Sequence, residues 1–380
     1  MVWSRQVAFA NLLRALRGEP VARDDWAPVL QQAEWHGVTP LLSERAGDLD
    51  DALRQQLHAS AQRIAQQDLL LTAELLRVLR GLRQARVEVL AYKGPALAMA
   101  AYGDLAKRDF SDLDLLIRPA GLAAGQAVLD KLEFEPWPQF AGLTAEQQRV
   151  YLATGYHYQY RRRDGSVPLE LHWNIAPHSF GIDLRIDDVF RRSTAIEIAG
   201  VQVPAPCASD HALLLCIHAA KHMWERLSLV ADVAALIAQG GVDLEQLLAT
   251  ASELHARRMV LLGLQLAHEV FSTPLPAGIV AAIAHDACVK TLAARVVQQF
   301  PECRGAEEDR WAAHRFYFDV RERAADKLRC LYRLAFEPSL NDARLLGDSA
   351  LGTRAGGWLR PLRLAANAMR QSATALRRRS

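Results

Sequence analysis

The chain has 380 residues, 51% of them hydrophobic and 23% charged, with a formal net charge of +2. That is core material for two or three domains, and the near-neutral balance gives no global electrostatic case for nucleic acid. No window approaches eighteen uncharged apolar residues, so no spanning helix is expected. Five dispersed cysteines, Cys207, Cys216, Cys288, Cys303 and Cys330, include no Cys-x-x-Cys and fit a reducing cytoplasm, the expected location. Arg5, Arg14 and Arg17 interrupt the apolar N-terminus, so no secretory signal is read there.

In chain order, Gln6 to Arg17, Trp26 to His36 and Asp51 to Gln84 read as helices. In the last of these Leu69, Leu75, Leu76, Leu79 and Leu82 recur at helical intervals and are read as a packing stripe. Residues 1–86 thus form a helical N-terminal segment. A mixed part follows over 87–205. It opens with a β-prone run from Val87 to Tyr92, the turn Lys93-Gly94-Pro95 and a helix from Ala96 to Tyr102. The strand-like Arg108-Asp109-Phe110-Ser111-Asp112-Leu113-Asp114-Leu115-Leu116-Ile117 comes next. A helix opened by Pro119 closes before Phe134. The segments 156–162 and 167–173 flank Asp164-Gly165, a strong hairpin signal, and a further strand is expected around Thr194 to Ile198. From Ser209 the pattern is helical throughout, giving a helical domain over 206–345. A basic tail over 346–380 has no acid after Asp348 and seven arginines: Arg354, Arg360, Arg363, Arg370, Arg377, Arg378 and Arg379. It is read as a short amphipathic helix for an anionic partner or surface.

Strand side chains alternate between faces, so Asp112 and Asp114 share one face, about 6–7 Å apart along the strand. Carboxylates among Leu113, Leu115, Leu116 and Ile117 are costly unless something positive compensates them, and a hard, oxygen-seeking Mg²⁺ or Mn²⁺ does so. Glu170, on the second hairpin arm, supplies a third acid, and without a cation the three would repel one another. His172 alternates onto the face of Glu170. A glycine at a strand-to-helix turn lets backbone N–H groups approach a phosphate, and Lys93 adds a point charge there. In the helical half His218, His222 and Glu225 share a helix face. Ala219-Ala220-Lys221 between the histidines holds no glutamate, which excludes a zincin. The two histidines read either as core groups or as neighbours of the site. Asp232, on the following helix, is available to orient one of them or Arg226. Tyr156, Tyr158 and Tyr160 are read as an aromatic packing wall.

The blocks Lys93-Gly94-Pro95-Ala96-Leu97-Ala98, Arg108-x-Phe110-Ser111-Asp112-Leu113-Asp114 and Leu169-Glu170-Leu171-His172-Trp173 resemble an uncharacterised bacterial nucleotidyltransferase family of the DNA polymerase β-like superfamily. The resemblance continues through Leu213 to Trp224. Two positions depart from it: Pro95 stands where the superfamily usually has Ser or Gly, and Glu170 where relatives usually have Asp. The resemblance implies an α+β fold, a polymerase β-like mixed sheet with flanking helices. It also implies a Mg-dependent transferase moving an NMP, or a related phosphoryl-linked group, from an NTP to an unidentified acceptor hydroxyl by a two-metal mechanism. On that reading Asp112, Asp114 and Glu170 are catalytic and hold the metal. Lys93, Gly94, Arg108, Ser111, His172, His218 and His222 bind the nucleotide, and Arg108 either offsets developing charge or clamps the strand to an acid. The acceptor is expected to be a peptide, a protein or a small molecule rather than nucleic acid. The alternative is a non-catalytic nucleotide- or partner-binding regulatory module on the same fold.

Overall fold

A computed structural model describes residues 5–21, 26–45, 49–303, 310–345, 357–361 and 363. The N-terminal helices are Arg5–Leu16, Trp26–His36, the short Thr39–Ser43 and the 34-residue Asp51–Gln84, which Asp50 caps by accepting from the Leu53 amide at 2.8 Å. Of the leucine stripe on the long helix, Leu75, Leu79 and Leu82 are buried, whereas Leu69 is 61% exposed, because it lies off the helix face that carries Leu71, Leu75, Leu79 and Leu82.

The main sheet contains β1 (Val89–Ala91), β2 (Leu113–Ile117), β3 (Phe134–Pro136), β4 (His157–Arg162) and β5 (Pro168–His172), in the order β1-β2-β5-β4-β3. Only β2 and β5 run parallel, and that pairing sets Asp114 opposite Glu170. The β4–β5 hairpin closes at Gly165, whose φ of +77° belongs to the left-handed region that glycine adopts freely. The register brings Gln159 opposite Glu170 and His157 opposite His172. The strand expected at Thr194 to Ile198 does form. It lies outside the main sheet, however, pairing as β6 (Thr194–Ile198) with β7 (Val201–Ala205) in a separate two-stranded ribbon. The mixed part also contains a helix, Ala145–Thr154, opened by a capping box between Thr144 and Gln147.

The helical half runs through Ala208–Lys221, Leu227–Ala238, Leu244–Glu253, Arg257–Phe271, Ala277–His285 and Ala287–Gln299, then Arg310–Asp319, Ala324–Phe336 and Leu340–Leu345. Among the described residues no single helix is long and apolar enough to cross a membrane; the pair Ala277–His285 and Ala287–Glu302 meets that test only together, across a 91° bend. Two of the seven tail arginines, Arg360 and Arg363, pair with the buried Asp342, and Arg360 Nε also donates to the Leu334 carbonyl at 2.9 Å. Arg354, Arg370, Arg377, Arg378 and Arg379 lie outside the described residues.

Two hydrophobic cores organise the molecule. One unites Phe9, Leu12, Trp26 and Val29 of the N-terminal helices with Leu213, Trp224 and Met259 of the helical half. The other packs Leu71, Leu75 and Leu82 of the long helix against Leu113, Leu115, Leu169 and Leu171 of the sheet. Strands β1 and β2 separate the cores: Leu90 and Leu116 face the first, while Ala91, Leu115 and Ile117 face the second. A strand buried on both faces reads as a continuous apolar run, as β2 does.

Candidate active site

The acidic centre forms where β2 and β5 run side by side. Asp114 lies within β2 and is buried, whereas Asp112, just before the strand, is half-buried. Asp112, Asp114 and Glu170 each present an oxygen within 4.8 Å of the others. Asp112 is held in place by the turn beside it. Gly94 has φ +56°, and a Cβ there would stand 3.2 Å from the Asp112 carbonyl oxygen, so the left-handed backbone and the close approach both call for glycine. Gly94 also begins the helix Gly94–Tyr102, and Pro95 fits the first turn, where its missing N–H would have had no helical partner.

Cationic and hydrogen-bonding side chains already surround the acids. Lys93 Nζ lies 2.7 Å from Asp114 Oδ1, and His172 Nε2 lies 3.0 Å from that atom and 3.0 Å from Glu170 Oε2. The Tyr92 hydroxyl, fully buried, approaches both Asp114 Oδ1 at 3.5 Å and His172 Nε2 at 3.4 Å. Glu170 Oε1 accepts from Gln159 Nε2 at 2.9 Å and lies 3.5 Å from His157 Nε2. The repulsion expected among bare carboxylates is therefore offset at Asp114 and Glu170, though not at Asp112. Asp114 Oδ2 is different: it is buried and, among the described residues, has no hydrogen-bond partner.

The electrostatics follow these contacts. Burial works to raise the Asp114 carboxyl, but Lys93 and His172 outweigh it and hold it below its ordinary value. Burial also opposes ionisation of Glu170, yet the hydrogen bonds from His157 and His172 carry it well below the carboxylate range. Burial disfavours charge on His172, but its bonds to Asp114 and Glu170 prevail and raise it. The neighbouring Asp114 charge, followed by burial, pushes Asp112 up to about 6. Burial takes His157 down to about 4, so this ring is neutral near pH 7.

Ser111 is exposed next to Asp112. Arg108 is directed elsewhere: Nε and Nη2 hold both oxygens of Asp232 at 3.0–3.1 Å, and Tyr102 donates to the same carboxylate at 2.9 Å. This is the strand clamp, and it occupies the carboxylate that was available to orient a histidine. The rings of His218 and His222 lie 4.6 Å apart; burial lowers both, and His218 Nδ1 is buried without a partner among the described residues. Tyr158 and Tyr160 pack in the sheet core as expected of the aromatic wall, but Tyr156 turns to the site, its ring 4.0 Å from that of His157.

Several site-lining groups were not singled out by the sequence pattern. Gln159 and His157 face Glu170 because they alternate along β4, a relation the hairpin register carries. Lys221, three residues beyond His218 on the same helix, places Nζ 3.2 Å from the Tyr156 hydroxyl and 4.3 Å above its ring. The helical spacing was the available signal.

Fold and site together define an α+β protein whose adjacent parallel strands present a carboxylate centre. Residues 22–272, more than half of the chain, match the family described as uncharacterised nucleotidyltransferase, and the chain belongs to that family. Among solved structures, an antigenic nucleotidyltransferase-like protein from Paracoccidioides brasiliensis is similar at 15% identity, covering 58% of this chain and 97% of that one with a TM-score of 0.34. So loose a superposition adds nothing to the assignment. No curated protein sequence matches the chain.

Proposed function

We propose that the protein transfers an NMP from an NTP to an acceptor hydroxyl and releases pyrophosphate, with Asp112, Asp114 and Glu170 as the metal-binding acids. The acceptor is a peptide, a protein or a small molecule. The observation that carries this reading is the buried, unpartnered Asp114 Oδ2 beside oxygens of Asp112 and Glu170. A buried polar atom without a partner is rare, and an all-oxygen donor set suits Mg²⁺ or Mn²⁺. When bound, such cations screen phosphate charge and stabilise the attacking and leaving oxygens. Lys93, raised by Asp114, Asp112 and Glu170 despite burial, stays cationic and holds Asp114 while its charge faces the incoming phosphates. His172 and Gln159 fix the Glu170 carboxylate in one orientation. Exposed Ser111 and the turn at Gly94, both beside Asp112, would meet the nucleotide, and His218 and His222 would meet it from the helical half.

One observation favours the non-catalytic reading: Lys93 and His172 already neutralise two of the acids. Calorimetric titration of MgATP with and without EDTA, followed by pyrophosphate release with candidate acceptors, separates the two. Binding that depends on the metal together with release supports transfer; binding indifferent to EDTA with no release supports the regulatory module.

A further inference from the structure

Transfer to a hydroxyl needs a group that takes the hydroxyl proton, and the third carboxylate is the obvious candidate. Its surroundings argue against that role. Both oxygens of Glu170 are engaged, one by Gln159 and near His157, the other by His172, and these bonds stabilise its ionised form. A carboxylate so stabilised is a poor base near neutral pH. Lys93 is committed to Asp114 and is held in its charged form.

Lys221 is placed differently. It ends the helix Ala208–Lys221, and Tyr317 fixes its backbone by donating to the Lys221 carbonyl at 2.6 Å. Among the described residues its amine makes no ion pair; it rests on the Tyr156 ring and donates to the Tyr156 hydroxyl. The Tyr156 ring lies 5.9 Å from that of His172, which touches both Asp114 and Glu170, so Tyr156 links the amine to the residue that bridges the two acids. The groups around it are Tyr156, Lys93, Glu170, Asp114 and its helix neighbours His218 and His222. Burial first, and the Lys93 charge second, lower the amine to about 7 despite the opposing pull of Glu170 and Asp114.

We infer that Lys221 is the base that accepts the acceptor's hydroxyl proton, an assignment that rests on the nucleotidyltransferase reading. In the step, the acceptor O–H gives its proton to the neutral Lys221 amine, which becomes an ammonium. The acceptor oxygen bonds to the α-phosphorus as the bond from that phosphorus to the bridging oxygen breaks, and pyrophosphate leaves with that electron pair. Two lysines with opposed protonation preferences thereby divide the work, Lys93 as the fixed cation and Lys221 as the proton carrier.

The test compares wild type, Lys221→Met and Lys221→Arg. MgATP affinity is measured by calorimetry and pyrophosphate release from pH 5.5 to 9, with an acceptor that wild type uses. The lysine protonation state is read independently by NMR after ¹³C reductive methylation, Lys221→Met assigning the signal. The expected result is MgATP affinity within about threefold of wild type and turnover lowered about a hundredfold or more in both variants, the scale of a lost general base. The rising limb near pH 7 should disappear, and a wild-type methyl-lysine signal should titrate near 7. Full turnover with the limb intact overturns the assignment, as does loss confined to MgATP affinity, which would make Lys221 a phosphate clamp, or an amine charged up to pH 9. If Lys221→Met fails to fold, Lys221→Arg decides on the same readouts, because it keeps a cation but offers no neutral amine. Wild type that binds no MgATP would instead sink the nucleotidyltransferase reading itself.

Discussion

Asp112 and Asp114 are two positions apart, yet the fold gives them opposite tasks. Asp114 is the hub, taking Lys93 and His172 on one oxygen and leaving the other free. Asp112 has no such support, and the Asp114 charge raises it to about 6. The two substitutions should therefore differ. Asp112→Asn and Asp114→Asn should each remove thermal stabilisation by Mg²⁺ or Mn²⁺ and reduce transfer at least about a hundredfold, the cost of deleting a preorganised electrostatic contact. Without metal, Asp112→Asn should melt at or above the wild-type temperature at pH 7.5, because repulsion is relieved. Asp114→Asn should melt several degrees lower, because partly buried Lys93 and buried His172 lose their counter-charge. Calorimetric scans with and without EDTA measure both; equal metal-free melting of the two variants would refute this division. The Asp-x-Asp spacing was legible in the sequence because alternation is local. The partners of Asp114 were not, because Lys93 and His172 reach it through strand pairings between segments remote in the chain.

Among the elements, the helix Leu227–Ala238 does more than fill the helical core. Its Asp232 holds Arg108, four residues before Asp112, so the helical half grips the segment that delivers the acid. Asp232→Ala would leave a largely desolvated guanidinium unpaired, a loss of about 3 kcal/mol. The expected result is a melting temperature lowered by several degrees and a weakened metal response, read by scanning calorimetry; a melting curve unchanged from wild type would contradict the clamp. Helices with strong apolar periodicity, such as Trp26–His36 and Asp51–Gln84, were visible in the sequence over their observed lengths. Two elements of the mixed part were not. Phe134–Pro136 is too short to show alternation and exists through pairing with β4. Ala145–Thr154 buries only Val150, so its capping box, Thr144 to Gln147, was the main signal it offered.

Across the whole molecule, the long helix Asp51–Gln84 joins the cores, contributing Leu57 to one and Leu71 to the other. Between them sits the buried Asp68; burial, and then the Asp109 charge, push it up to about 8 against the opposing pull of the Phe110 backbone. An acid whose folded value exceeds its unfolded one binds its proton more tightly when folded. Its contribution is fully present below about pH 4 and is lost as the pH rises through 8. Asp68→Asn should accordingly match wild type in melting temperature near pH 4 and surpass it increasingly up to pH 8. A constant difference across that range would show that Asp68 does not titrate with folding.

The position of β2 between the two cores has a consequence in time as well as in space. With every residue from Leu113 to Ile117 buried and Leu116 facing one core while Leu115 and Ile117 face the other, its amides open only if both cores loosen together. In native-state hydrogen exchange these amides should be among the last to take up deuterium, at a rate set by global unfolding, while the β6–β7 ribbon exchanges orders of magnitude sooner. Cation binding at Asp112, Asp114 and Glu170 would then slow the clock of the entire molecule.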